Sequence, residues 1–240
     1  MDADRKNVTW EHLYKNLYTE DKWSFWGLLD FDKHDDGIIG WKEEITWNQN
    51  NKIFKEFKEK HPDFKISGDA DFGMKSKVYS TYIENPKEKM HMFPNFSLMP
   101  RTGGMNLKKG GFGYQDRFDV FVYHLSQYYK IKDEKDKYDY IKRILWHNSQ
   151  KHETTINPLY DFLNLFNEKE NDYFHKMYFI EDYFVEKLID SGEKTLCKGF
   201  DCERHCKLAL HYWKLKKEVM KSIPNIEEYV DKDIDDDKYK

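Results

Sequence analysis

Large aromatic and apolar residues recur at helical spacing through the second half of this chain, and that pattern leaves few folds open. Phe118, Phe121, Val122, Leu125 and Tyr129 share one face of a helix expected from near Gln115. Tyr140, Ile141, Ile144 and Leu145 continue the pattern, and Asn157-Pro158 opens a further helix through Phe166, because proline's fixed φ suits the first helical position. Tyr173, Met177, Ile180, Phe184 and Leu188 step by 4, 3, 4 and 4 residues. Leu208, Tyr212, Leu215, Val219 and Ile223 repeat that step before Pro224 stops the helix. Apolar residues at these intervals mark helices with one buried stripe. With 17 Tyr, 17 Phe and 7 Trp in 240 residues, the stripes must bury mainly rings. Wholesale disorder is excluded, since disordered chains are poor in aromatics.

The first half divides differently. Residues 9–31 (Trp10, Leu13, Leu17, Trp23, Phe25, Trp26, Leu28) and 41–60 (Ile45, Ile53, Phe54, Phe57) read as helices, the second ended by His61-Pro62. Residues 62–113 hold four of the six Pro and seven of the twelve Gly, and read as short strands and loops around Val78–Ile83 and His91–Met99. The expected fold is mostly α (α+β): a single globular domain over residues 1–230, with a small irregular β/loop region near 62–113. An acidic, frayed tail, DKDIDDDKYK, is expected at 231–240.

Lys+Arg number 40 and Asp+Glu 44, a net charge of −4, so no global field draws in nucleic acid, and any polyanion site is a local patch. The charged N-terminus has no apolar core of a signal peptide. No run of 18 apolar residues predicts a spanning helix. The three cysteines fall within ten residues and cannot frame the fold with disulfides. The expectation is a cytoplasmic protein with no membrane partner.

Three segments carry candidate chemistry. The acidic loop from Asp32 to Glu43, DKHDDGIIGWKE, has EF-hand spacing. Asp32, Asp36 and Glu43 stand at calcium-ligand positions 1, 5 and 12, Gly37 at the turn, and Ile38 where a backbone carbonyl is required. His34 at position 3 offers nitrogen to a hard cation that prefers oxygen, and no second loop pairs with this one. A tight Asp-Asp-Gly turn in a hairpin is the alternative. The second segment, Cys197, Cys202 and Cys206 with His205 or His211, offers zinc its sulfur and nitrogen ligands, with Cys197 on a loop before the last helix. The alternative is that these cysteines pack as small apolar residues. The third, PRTGGMNLKKGGFGYQDR from Pro100, joins five glycines to Arg101, Asn106, Lys108, Lys109 and Arg117. A flexible cationic backbone leading into a helix start suits an anion, while an exposed loop with solvated lysines is the simpler reading. On the last helix, Arg204, Lys207, Lys214 and Lys221 recur on one side, as a phosphate-facing or solvated surface.

MFPNFSLMPRTGGMN, QDRFDVFVYHLSQYY and NPLYDFLNLFNEKENDYFHKMYFIEDYFV together resemble an uncharacterised family of low-GC bacterial, phage and mobile-element proteins. The likeness covers about residues 90–190, and it implies a genetic context rather than a chemistry. Asn95–Asn106 also resembles part of an HNH-type nuclease family, without that family's His-rich half. The leading expectation is a phage- or mobile-element-associated cytoplasmic protein acting in host–phage conflict, in defence or anti-defence, by contacting a protein or nucleic acid. The rival expectations are a metal-dependent nuclease or other enzyme, and a calcium-binding regulatory protein. Zinc and calcium are the cofactors these patterns admit, and no catalytic residue is assigned.

Overall fold

The structure is a computed structural model that describes residues 59–62, 66–70, 77–86, 89, 93–100, 118–145, 153–166, 172–178 and 180–221. Two strands, β1 (Ile66–Ala70) and β2 (Phe96–Pro100), pair antiparallel, Ile66 opposite Pro100 and Ala70 opposite Phe96. Six α-helices follow: α1 (Phe118–Lys130), α2 (Glu134–Tyr140), α3 (Glu153–Asn164), α4 (Asp172–Tyr178), α5 (Asp182–Lys198) and α6 (Cys202–Lys221). The described chain is therefore mostly α, as its periodicity requires. The segments expected to be helical at 9–31 and the tail at 231–240 lie outside the described residues, as does 41–60 apart from its helical end at 59–60.

Several boundaries differ from the sequence reading. Residues 77–81 form a 3-10 turn rather than a strand, closed by the amides of Tyr82 and Ile83 on the carbonyl of Tyr79. Pro158 sits inside α3 rather than at its start; as sixth residue it forfeits only the bond its amide would make to Thr154. The stripe from Tyr173 to Leu188 is two helices, broken between Tyr178 and Asp182. Ile141–Leu145 winds as a π-turn continuing α2. Each break leaves the apolar period nearly intact, which is why spacing alone did not show it.

α1 packs most extensively on α5. Asp119 faces Ser191 and Thr195 near the end of α5, whereas Ser126 and Lys130 share a groove with Val185 and Glu186 near its start; the two helices run antiparallel. Gly192 permits the approach, because a Cβ there would lie 2.4 Å from the Asp119 carbonyl oxygen and 2.7 Å from Tyr123 Cβ. α5 ends at Gly199, whose φ of 92° few L side chains adopt. Phe200 and Asp201 then lead to α6, which folds back along α5: Arg204 reaches Ser191 and Thr195, and the His211 ring lies 4.8 Å from that of Phe184.

The core between these helices is aromatic. Phe118 contacts Phe121, Tyr178 and Tyr212, and Phe184 stacks on Tyr212. Tyr173 meets Phe162, Phe166, Phe174 and Tyr178 edge to face, the orientation ring quadrupoles favour. Buried polar tips are paired: Tyr128 donates to Asn164 at 2.9 Å, and Trp213 to Asn95 at 2.9 Å. Burial, then the charges of Glu134 and Asp161, push the Tyr128 hydroxyl far above its usual range, so it stays a donor. On α6 the buried face is His205, Cys206, Ala209, Tyr212, Trp213, Lys216 and Lys217, while Leu208, Leu215 and Val219 are half-exposed. The expected stripe is thus rotated toward two lysines whose long stems bury well; the Lys216 ammonium lies 3.2 Å from the Tyr212 hydroxyl.

Gly192→Ala should destabilise the protein by about 1–3 kcal/mol, as overpacking does, because the clashing carbonyl belongs to a helix backbone. Urea unfolding of the two proteins measures this. A neutral substitution would show that α1 and α5 do not approach as closely as described.

Candidate functional site

A buried polar cluster joins α1, α5 and α6. Asp119 lies in the first turn of α1, where exposed backbone amides and the helix dipole favour a negative side chain. Its Oδ1 accepts from the Val120 amide at 2.9 Å. Its Oδ2 accepts from the Ser191 hydroxyl at 2.6 Å and from Thr195 at 3.4 Å. Ser191 and Thr195 stand one turn apart on α5 and face the same way. Each hydroxyl also accepts from Arg204, Nε to Ser191 and Nη2 to Thr195, both at 3.0 Å. The two hydroxyls thus relay between a carboxylate and a guanidinium, using both donor and acceptor capacity.

Asp201 sets the position of Arg204. Its carboxylate accepts from the Arg204 amide at 3.0 Å, the N-cap bond of α6, and its other oxygen lies 3.6 Å from the guanidinium. His205 is fully buried, with Nδ1 3.8 Å from Asp119 Oδ1, beyond hydrogen-bond length. Its ring lies 6.0 Å from Tyr79 and 5.8 Å from Phe200.

This cluster contains Ser, His and Asp but not their hydrolytic relay. Ser191 donates to Asp119 rather than to His205, and Asp119, Ser191, Thr195 and His205 are each no more than 1% exposed. A nucleophile needs a base in reach and a substrate at its oxygen; the arrangement offers neither. Its chemistry is that of a cross-brace among three helices. Sequence reasoning missed it. The available signals were Asp119 inside the apolar run FDVFV and the Ser191/Thr195 pair, with Gly192 beside it, on the inner face of α5.

The expected sites fare differently. Asp32, His34, Asp36, Ile38 and Glu43 lie outside the described residues, as do Arg101, Asn106, Lys108, Lys109 and Arg117. The expected zinc set is not brought together. Cys197 is on the exposed last turn of α5, not on a loop. His211 packs against Tyr183 and Phe184 at the start of that helix, about 20 Å away along the axis at 1.5 Å per residue. Only Cys202 and Cys206 converge, with sulfurs 4.0 Å apart. Among the described residues no three His, Cys, Asp or Glu side chains converge as a metal site. The basic face of α6 is also less free than expected. Arg204 turns into the cluster, Lys207 pairs with Glu203 at 2.6 Å, and Lys221 lies 3.7 Å from Glu218.

Two surface features remain. A groove of about 330 Å³ between α1 and α5 is lined by Glu186, Asp190 and Glu193 against a single Lys130, a charge that repels phosphate. Tyr82, Leu196 and Phe200 are exposed by 43%, 42% and 37% where the α5–α6 connection meets the 77–83 turn. Phe200 sits 6.4 Å from Tyr79 in that turn. No helix of the described residues is long and apolar enough to cross a membrane. Compared with known protein families, curated proteins and solved structures, the chain matches none.

His211 has a pKa below its ordinary value, first from burial and then from Lys187 and Lys214; the rings of Tyr183 and Phe184 face it. The folded protein therefore favours the neutral imidazole. Its contribution is present above the unfolded value near 6.5 and is lost as pH falls through the lower folded value. Stability should decline between pH 7 and 5, and His211→Phe should show a shallower decline in parallel urea titrations. An identical slope would contradict this assignment.

Proposed function

We propose that this chain is a stoichiometric binding protein of phage or mobile-element origin that acts in host–phage conflict by docking on a protein. The observation that carries the reading is the exposure of Leu196 and Phe200 at one end of the α5–α6 pair, with Tyr82 exposed in the turn whose Tyr79 meets Phe200. Large apolar side chains grouped on a surface mark contact sites, and aromatic residues supply much of the energy of such contacts. The polar cluster beneath is closed, which favours a binder over an enzyme. A protein partner is favoured over nucleic acid because the groove is acidic and Lys207 and Lys221 face glutamates on their own helix. The genetic context rests on the sequence resemblance over residues 90–190.

Cells expressing the protein should change the plating efficiency of at least one phage in a panel. Replacing Tyr82 and Phe200 by Ala removes about 2 kcal/mol or more of contact, over tenfold in affinity. The double variant should therefore lose the effect while keeping its helical circular dichroism. A panel without any change, or an effect that survives the double substitution, contradicts the reading.

A further inference from the structure

We propose that Tyr183 and Lys187 of α5, with His211 and Lys214 of α6, form a site for carboxylate groups, and that its occupant is an acidic segment of another protein. These side chains lie along the outer seam of the two antiparallel helices. The Tyr183 and His211 rings are 6.2 Å apart, and the Lys187 ammonium stands over the Tyr183 ring, 5.3 Å from its centroid. Lys214 follows His211 by three residues, a neighbouring position on a helix surface. Tyr183 and both lysines are exposed and His211 is half-buried. The fields of Lys187 and Lys214 both reach His211 and, after burial, hold its pKa down; no carboxylate opposes them.

Acids along the same two helices are engaged elsewhere. Asp190 pairs with Lys194, Asp201 with Arg204, Glu203 with Lys207 and Glu218 with Lys221, while Asp182 is held by His175. Glu186, beside Lys187 in sequence, lines the acidic groove shared with α1. Neither Lys187 nor Lys214 forms an ion pair among the described residues. Two positive charges thus flank an imidazole, and an incoming carboxylate can accept from both ammoniums in charge-assisted hydrogen bonds. Leu208 and Leu215, half-exposed on either side of His211, offer apolar surface for the rest of the segment. A nucleic-acid backbone fits less well, since it needs a row of cations. A strand leaving the seam would also meet Glu186, Asp190 and Glu193, and Lys187 already covers one face of the Tyr183 ring a base would stack on. Lys187 and Leu196 are nine residues apart on α5, about 180° around the helix at about 100° per residue. The seam therefore stands apart from the exposed Leu196 and Phe200, and its occupancy does not depend on that contact.

The test is an NMR titration of the intact protein at low salt with hexaglutamate blocked at both ends. The ring signals of His211 and Tyr183 should shift and saturate, and added salt should weaken binding by screening. Replacing Lys187 and Lys214 together by Ala should weaken binding about fivefold or more. Both lysines are exposed, so this variant should keep its helical circular dichroism. Lys207→Ala, which removes a lysine matched by Glu203, should stay within about twofold of the wild type. The variant with Ala at Tyr82 and Phe200 should bind the peptide as the wild type does. Unmoved His211 and Tyr183 signals, binding that survives loss of both lysines, or an equal loss in Lys207→Ala or in the Tyr82 and Phe200 variant would overturn the proposal. Tighter binding of an oligothymidylate at the same residues would overturn it in favour of nucleic acid.

Discussion

A carboxylate buried among rings must have its oxygens satisfied by the protein itself, because leaving a charged group unpaired there costs several kcal/mol. Asp119 is fully buried in the first turn of α1, and its needs set the arrangement around it. Two hydroxyls must come from α5 on one face, which fixes the rotation of α5. Gly192 must lie between them, since the Asp119 carbonyl occupies the space a Cβ would take. Arg204 must reach the same hydroxyls from α6, which fixes where α6 begins and explains both the short connection after Lys198 and the Asp201 cap.

The aromatic core follows from the same placement. Once α6 runs back along α5, Tyr212 comes to lie on Phe184 and beside Phe118, and Trp213 reaches Asn95. The face of α6 that turns Cys206, Tyr212 and Trp213 inward also carries Lys216 and Lys217 into the interior and leaves Leu215, on the opposite side, half-exposed. The cost of ordering two lysines is offset by the burial of their stems and, for Lys216, by the Tyr212 hydroxyl and ring. The same turn between α5 and α6 leaves Leu196 and Phe200 exposed, with Phe200 against Tyr79 of the 77–83 turn. The closed cluster and the exposed apolar group are two consequences of one helix connection.

Much of the fold was legible from spacing. Phe118, Phe121, Val122 and Leu125 are buried on α1, and Ile180, Phe184 and Leu188 are buried along the next stretch, as periodicity requires. Periodicity did not reveal the break near residue 180, because the apolar step continues across it. It also misplaced the face of α6, because lysines count as polar although their stems are not. For the site, the cysteine cluster drew attention by its local density in sequence, but helix geometry separates Cys197 from His211 and leaves a pair. The Asp119 cluster draws residues from positions more than 70 apart, with no local motif to announce them. Its traces were an acid in an apolar run and, far along the chain, a Ser/Thr pair beside a glycine.

Native-state hydrogen exchange tests the central claim, that the Asp119 cluster holds α1, α5 and α6 as one cooperative unit. Slowly exchanging amides in the middle of all three helices should open with the same free energy, equal to that of global unfolding measured by urea. Amides of α6 opening at a distinctly lower free energy than those of α1 and α5 would contradict the account, because α6 would then detach without disrupting the cluster it is said to complete.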